Sequence, residues 1–246
     1  MTNTGTESER RRQTVASLEL GVLLALVGGF LDAYSFISLG GVFANAQTGN
    51  VVLFGVEAAR GHWGAAVRHI PPILAFMIGV GVAETLRRPR IAAVVRWPAR
   101  AALVVEILVL VVVGFLSPVV PQDVVVVVIA FVASVQVSMF RTLINWTYNT
   151  TMTTGNLRSA AQALYLVVAD RDPEAARKAR SFGTVILSFL AGGFVGGLLT
   201  LHIGARSIWV CAAVLLLALG LFVVDERRAV WGRRLTSRRP LTRRRR

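Results

Sequence analysis

The sequence predicts an all-α integral membrane protein: six transmembrane helices built as two inverted three-helix repeats, with a short broken or re-entrant helix after each Thr-Gly-Asn. Three observations predict it. Of the 246 residues, 54% are hydrophobic and only 16% charged, where soluble domains carry about 25% charged residues, and mean hydropathy is +0.62. The apolar residues come in blocks of roughly membrane-crossing length rather than as an even spread. Thr48-Gly49-Asn50 also recurs as Thr154-Gly155-Asn156, the sign of a duplicated half.

The first 14 residues read as a basic cytoplasmic N-terminus carrying Arg10, Arg11 and Arg12. The apolar run that follows, 15–39, resembles a signal-peptide core, but it lacks a small-x-small cleavage site and contains Asp32, so it is expected to stay as a span. The next spans are expected at 70–86, 101–116, 124–140, 182–201 and 208–224. Several fall short of the ~20 residues that ~30 Å of hydrocarbon requires, and flanking residues or local thinning make up the difference. The membrane domain thus covers 15–224, with repeat one at 15–117 and repeat two at 121–224. A disordered Arg-rich tail occupies 225–246.

Orientation follows from the basic residues. With both termini inside, the cytoplasmic segments hold 24 of the 27 Lys and Arg, and only Arg60, Arg68 and Arg206 lie outside. The five tryptophans fall near span ends, as an interfacial aromatic belt requires. The charge of +14 is therefore concentrated beside spans, ten of the basic residues lying after Asp225. It points to anionic lipid at the Arg-rich tail rather than to nucleic acid. A single cysteine, Cys211, excludes an internal disulfide framework.

The duplication has a second marker. Ile73-Leu74-Ala75-Phe76-Met77-Ile78-Gly79 matches Ile186-Leu187-Ser188-Phe189-Leu190-Ala191-Gly192 at four of seven positions. The offset is 113 residues, against 106 for the triplets, so the second half carries a small insertion near Asp170-Arg171-Asp172-Pro173. Three spans per half is an odd number, so the halves insert in opposite orientations. That is a transporter architecture, with sites near the midplane where backbone is non-helical. Duplication kept for folding and packing alone is the competing reading.

Gly28-Gly29-Phe30-Leu31-Asp32-Ala33, Leu39-Gly40-Gly41-Val42-Phe43 and Gln47-Thr48-Gly49-Asn50 resemble the YoaK-like family of bacterial inner-membrane proteins, a domain of unknown function. Gln136, Arg141 and Thr150-Thr151-Met152-Thr153-Thr154-Gly155 extend the resemblance, which spans about 16–224. The chain departs from the family pattern at Gln136-Val137, where Gln-Asn is frequent, and in having Asn156 after the second Thr-Gly. The resemblance implies a multi-pass protein of the bacterial inner membrane and supplies no activity.

The candidate solute-binding residues are Asp32, Thr48, Gly49, Asn50, Gln136, Arg141, Thr154, Gly155 and Asn156. Each triplet is expected to open a short helix whose positive end faces a polar solute; the plainer reading is a helix cap. Asp32 is a carboxylate inside a span, which calls for a partner or a water-filled cavity. It is expected to bind a proton, cation or substrate amine, unless neighbouring Ser and Tyr hydroxyls satisfy it. Arg141 and Asp32 lie in symmetry-related spans but toward opposite faces, which argues against their pairing. Gln136 is expected to tie two helices through its amide, and Glu84 and Glu106 to snorkel to Arg87, Arg88 or Arg100.

Gly192-Gly193 and Gly196-Gly197 give small-xxx-small pairs suited to close helix approach, within the chain or in a homodimer. His62, His69 and His202 lack metal-ligand spacing and are expected around the outer interface. Neither a nucleophilic triad nor a phosphate-cradling loop is present, so no enzyme and no cofactor are expected. The leading expectation is a small-solute transporter working by alternating access; the alternative is a non-transporting scaffold or lipid-contacting protein.

Overall fold

The computed structural model describes residues 15–92, 95, 97–116, 119–140, 142–143, 146–147 and 153–236. Side chains are described as far as Val224, excepting 15–16, 142–143 and 146–147. Arg141 and the Thr150–Met152 part of the second motif lie outside these residues.

Helices make up nearly all of it. They are α1 (Leu18–Ser38), α2 (Gln47–Ala59), α3 (Trp63–Val67), α4 (Ile70–Leu86), α5 (Pro89–Ala92), α6 (Pro98–Leu116), α7 (Gln122–Met139), α8 (Thr153–Asp170), α9 (Pro173–Ile203) and α10 (Ile208–Thr236). Three two-residue strands accompany them. Val15–Ala16 (β1) pairs in parallel with Thr142–Leu143 (β2), which pairs antiparallel with Trp146–Thr147 (β3). That sheet ties the start of α1 to the chain just beyond α7.

Local chemistry sets the helix ends. Ser17 caps α1 by accepting the Leu20 N–H at 3.3 Å, and Asp172 caps α9 by accepting from Glu174 at 2.8 Å with Pro173 in the first turn. At its other end α1 stops at Leu39 because Gly40 and Gly41 both take φ +78°, a region open to glycine. Arg171, at φ 54°, makes the turn from α8 into α9.

Five stretches are long and apolar enough to cross a membrane: Leu18–Ser38, Trp63–Leu86, Pro98–Leu116, Gln122–Met139 and Pro173–Val224. The last, at 52 residues, contains α9, a 3-10 turn (Gly204–Ser207) and the start of α10. A hydroxyl–hydroxyl hydrogen bond of 3.0 Å between Thr200 and Ser207 closes that turn. The outward faces are apolar: Met77, Phe115, Leu190 and Phe194 are each about two-thirds exposed (64%, 66%, 66% and 66%). Surface of this kind belongs against hydrocarbon.

Lipid is as apolar as leucine, so the helices gain by close fit more than by burial as such. Helices α1 and α9 run parallel at backbone contact. Gly192 rests on Leu26, Gly193 beside Gly29, Gly196 on Phe30, and Gly197 against the Ile37 side chain. The glycine face of α9 is thus taken up within the chain. Helices α4 and α7 also run parallel, with Gly79 seated on Phe131 and Ser134. Arg68 pairs with Asp123 at 3.0 Å where both helices start, and Arg87 donates to the Ser138 carbonyl where both end. Helices α6 and α10 are antiparallel: Trp209 lies over Gly114, stacks on Phe115 and donates to the Val111 carbonyl at 3.1 Å. Phe140 and Phe222 meet edge to face, so α7 ends beside the middle of α10.

Candidate functional site

One stripe of α1 is polar. Gly28, Asp32 and Ser35 follow helical spacing and lie on one face, and that face holds the chain as it returns into α2. Between Leu39 and Ala46 the backbone is non-helical, so its N–H and C=O groups need partners. Asp32 Oδ1 accepts from the Asn45 N–H at 2.7 Å and the Ala46 N–H at 3.2 Å. It thereby pins the two residues that lead into α2 from a neighbouring helix. Ser35 Oγ accepts from Ala44 at 3.0 Å, and Asn45 Nδ2 donates to the Gly28 carbonyl at 3.4 Å.

The first triplet locks this elbow from the other side. Asn50 is fully buried and encloses Phe43: its Oδ1 accepts the Phe43 N–H at 2.9 Å and its Nδ2 donates to the Phe43 carbonyl at 2.8 Å. Nδ2 also donates to Gln47 Oε1 at 2.9 Å, and His69 Nδ1 lies 3.4 Å from Oδ1. All the hydrogen-bonding positions of this amide are engaged within the chain. Gly49 is small because the Phe43 ring lies on it; a Cβ there would come within 2.8 Å of the ring. Phe43 in turn stacks on Phe36, with centroids 4.9 Å apart. Thr48 points outward and is exposed.

The second triplet repeats the exposure pattern. Thr154 is exposed and Asn156 buried in the first turn of α8, while Gly155 has open space around it. The segment that would correspond to residues 39–46 includes undescribed residues.

Two buried acceptors at the elbow have no partner: Asp32 Oδ2 and Asn45 Oδ1. Each residue is 5% exposed. Elsewhere, Gln136 Nε2 on α7 is buried without a partner among the described residues, so the expected helix-to-helix tie is not made by that nitrogen. Glu84 pairs with Arg87 at 3.0 Å as expected. Glu106 does not reach an interface: it is 1% exposed, with Oε2 unpartnered, and lies within electrostatic reach of Cys211 on α10.

Placement of the sequence-derived candidates is therefore uneven. Asp32, Gly49 and Asn50 converge on the elbow, whereas Gln136, Thr154, Gly155 and Asn156 belong to other elements. Arg141 lies outside the described residues. Sequence reasoning missed Asn45, Ser35, Phe43 and His69 as members of the elbow. The one available signal was Asn45 itself, an amide between two apolar segments; His69, expected at the outer interface, is buried against Asn50. Among the described residues, no three His, Cys, Asp or Glu side chains converge on a point.

A family model described as "Protein of unknown function (DUF1275)" matches residues 20–221. No curated protein and no solved structure matches the chain.

Proposed function

The chain belongs to the DUF1275 family of unknown function, and from that premise we propose that it is a small-solute transporter of a bacterial inner membrane. It crosses six times, with both termini in the cytoplasm. The observation that carries this reading is the elbow between α1 and α2. Buried, unwound, polar backbone beside a span is tolerated at membrane depth only where it is enclosed by protein or lines a cavity, and discontinuous helices of this kind form transporter sites. Helix α2 has 13 residues, about 20 Å at 1.5 Å per residue, too short to cross and suited to a broken helix.

Helix pairing supports the inverted repeat. The offsets of 106 and 113 residues relate α1 to α7, α4 to α9 and α6 to α10. Exchanging the halves turns the α1–α9 pair into the α7–α4 pair; both are parallel, and in both a glycine (Gly192 or Gly79) lies against its partner. The antiparallel α6–α10 pair maps onto itself. Alternating access then consists of one repeat rocking against the other, opening the elbow to each face in turn. The bundle performs no covalent chemistry in this reading.

The test is access to the triplets. In a Cys211→Ser background, single cysteines at Thr48 and Thr154 are exposed to an impermeant thiol reagent from each side. The expected result is Thr48Cys labelled from outside and Thr154Cys from inside. A second reading is favoured by the complete engagement of Asn50: the triplet is a packing lock in a scaffold whose 225–246 tail holds anionic lipid. It predicts that neither cysteine labels in folded protein, and that deleting 227–246 matters more than changing Thr48 or Thr154.

A further inference from the structure

The elbow contains a buried carboxyl group that no basic side chain among the described residues pairs with. Asp32 Oδ1 is occupied by two backbone N–H groups, and Oδ2 has no partner. Among the described residues no basic side chain forms an ion pair with it. Arg68 approaches the same segment over Gly40, but its guanidinium is bonded to Asp123. The second unpartnered group, Asn45 Oδ1, belongs to the residue whose own N–H binds Asp32. Both unpartnered atoms at the elbow are therefore acceptors, on residues in direct contact and shielded from the surface.

This pattern selects a ligand. An anion is refused by the carboxylate. A divalent cation would leave positive charge uncompensated beside the N-terminus of α2, already the positive end of a helix. An organic amine needs an open path to the carboxylate, and Asp32 and Asn45 are each only 5% exposed. A monovalent metal ion needs more oxygens than the two that are unpartnered. One proton meets the demand: it neutralises the buried charge and converts an orphaned acceptor into a donor.

We infer that Asp32 is the proton-carrying group of the transporter proposed above, holding one proton on Oδ2 while the elbow is closed and releasing it when residues 39–46 part from α1. The inference rests on that reading for its purpose, though not for its chemistry. The step is carboxylate plus proton giving carboxylic acid, with the proton drawn from water on one face and returned to water on the other.

Few other titratable or charged groups adjoin the region. Helix α4 brings Arg68 and His69, the latter bonded to Asn50. Helix α1 contributes buried Tyr34, and α10 contributes buried Cys211. Helix α9 meets this part of α1 through glycines, and α2 carries Glu57, within electrostatic reach of His69.

Infrared pH-difference spectra of the full chain test it, because a protonated carboxyl has a C=O band that a carboxylate lacks. Glu106→Gln is compared with Glu106→Gln/Asp32→Asn, which removes the other buried acid from both. Asn at position 32 keeps an oxygen for the two N–H groups. The expected result is one component of the carboxyl band that grows as pH falls, is unchanged when K+ replaces Na+, and is missing from the double variant while the bands of the other carboxyls remain. Identical spectra for the two variants overturn the inference, as does a carboxylate band that shifts with Na+ at constant pH. If Asp32→Asn does not fold, Asn45→Ala serves: the midpoint of the band must move, and an unmoved midpoint overturns the inference. Proton uptake into liposomes containing a pH-sensitive dye, scanned over a solute panel, separates the two claims. A titrating Asp32 band with no solute-dependent proton movement removes the transport reading and leaves the proton site standing.

Discussion

At the scale of single residues, the Thr-Gly-Asn motif divides its labour. Gly49 provides a seat for the Phe43 ring, Asn50 grips the Phe43 backbone, and Thr48 remains outside. A side chain at position 49 and a ring at position 43 compete for one volume, so their effects on stability are coupled. Gly49→Ala is expected to cost about 1–3 kcal/mol in thermal unfolding, the usual range for overpacking, and distinctly less in a Phe43→Leu background. Equal costs in both backgrounds would mean that Phe43 is not what keeps position 49 small. The motif was legible as a recurrent triplet, but its grip on Phe43 was not, because the partners lie seven positions apart across the irregular elbow that leads into α2. Glu106 carries the same lesson. Its nearness to Arg100 in sequence suggested snorkelling, yet packing places it facing α10, where burial decides its surroundings.

At the scale of elements, glycines within spans serve different ends according to what faces them. Gly192 lies against α1 backbone, whereas Gly81 on α4 has nothing within 4 Å. Gly192→Val is therefore expected to separate α1 from α9 and destabilise by more than about 2 kcal/mol. Gly81→Ala is expected to stabilise by about 0.5–1 kcal/mol through helix propensity. Thermal unfolding of the two purified variants checks both signs, and a neutral Gly192→Val would argue that the α1–α9 contact is dispensable. The small-xxx-small pattern announced close approach. It did not announce the partner, since the same pattern serves a helix of the same chain or of a second copy.

At the scale of the whole molecule, orientation and pairing meet. The helix contacts have α1, α6 and α9 running one way and α4, α7 and α10 the other, and under the proposed function the distribution of Lys and Arg puts both termini in the cytoplasm. A fluorescent protein fused after Arg246 is expected to mature in the cytoplasm, and a phosphatase inserted at Gly61 to be active outside. The opposite pair of results would invert the protein and with it the side from which each triplet opens. Both long parallel pairs, α1–α9 and α4–α7, join one half of the chain to the other. In the proposed transporter, motion between the halves would have to work through these glycine contacts.

The sequence by itself pointed to a membrane protein, to apolar stretches that coincide with the long helices, and to helices opening at its two triplets. Each of these follows from composition and local periodicity, which act over a few turns. Only the tertiary structure decided that α1 and α9 meet through glycine, that Asn45 and Ser35 join Asp32 at the elbow, and that Asp32 holds the backbone leading into α2. The physical reason is common to all three. Buried polar groups are satisfied by whatever lies across the packed interface, and in a bundle of uniformly apolar helices the pattern along one helix does not name the helix that will face it.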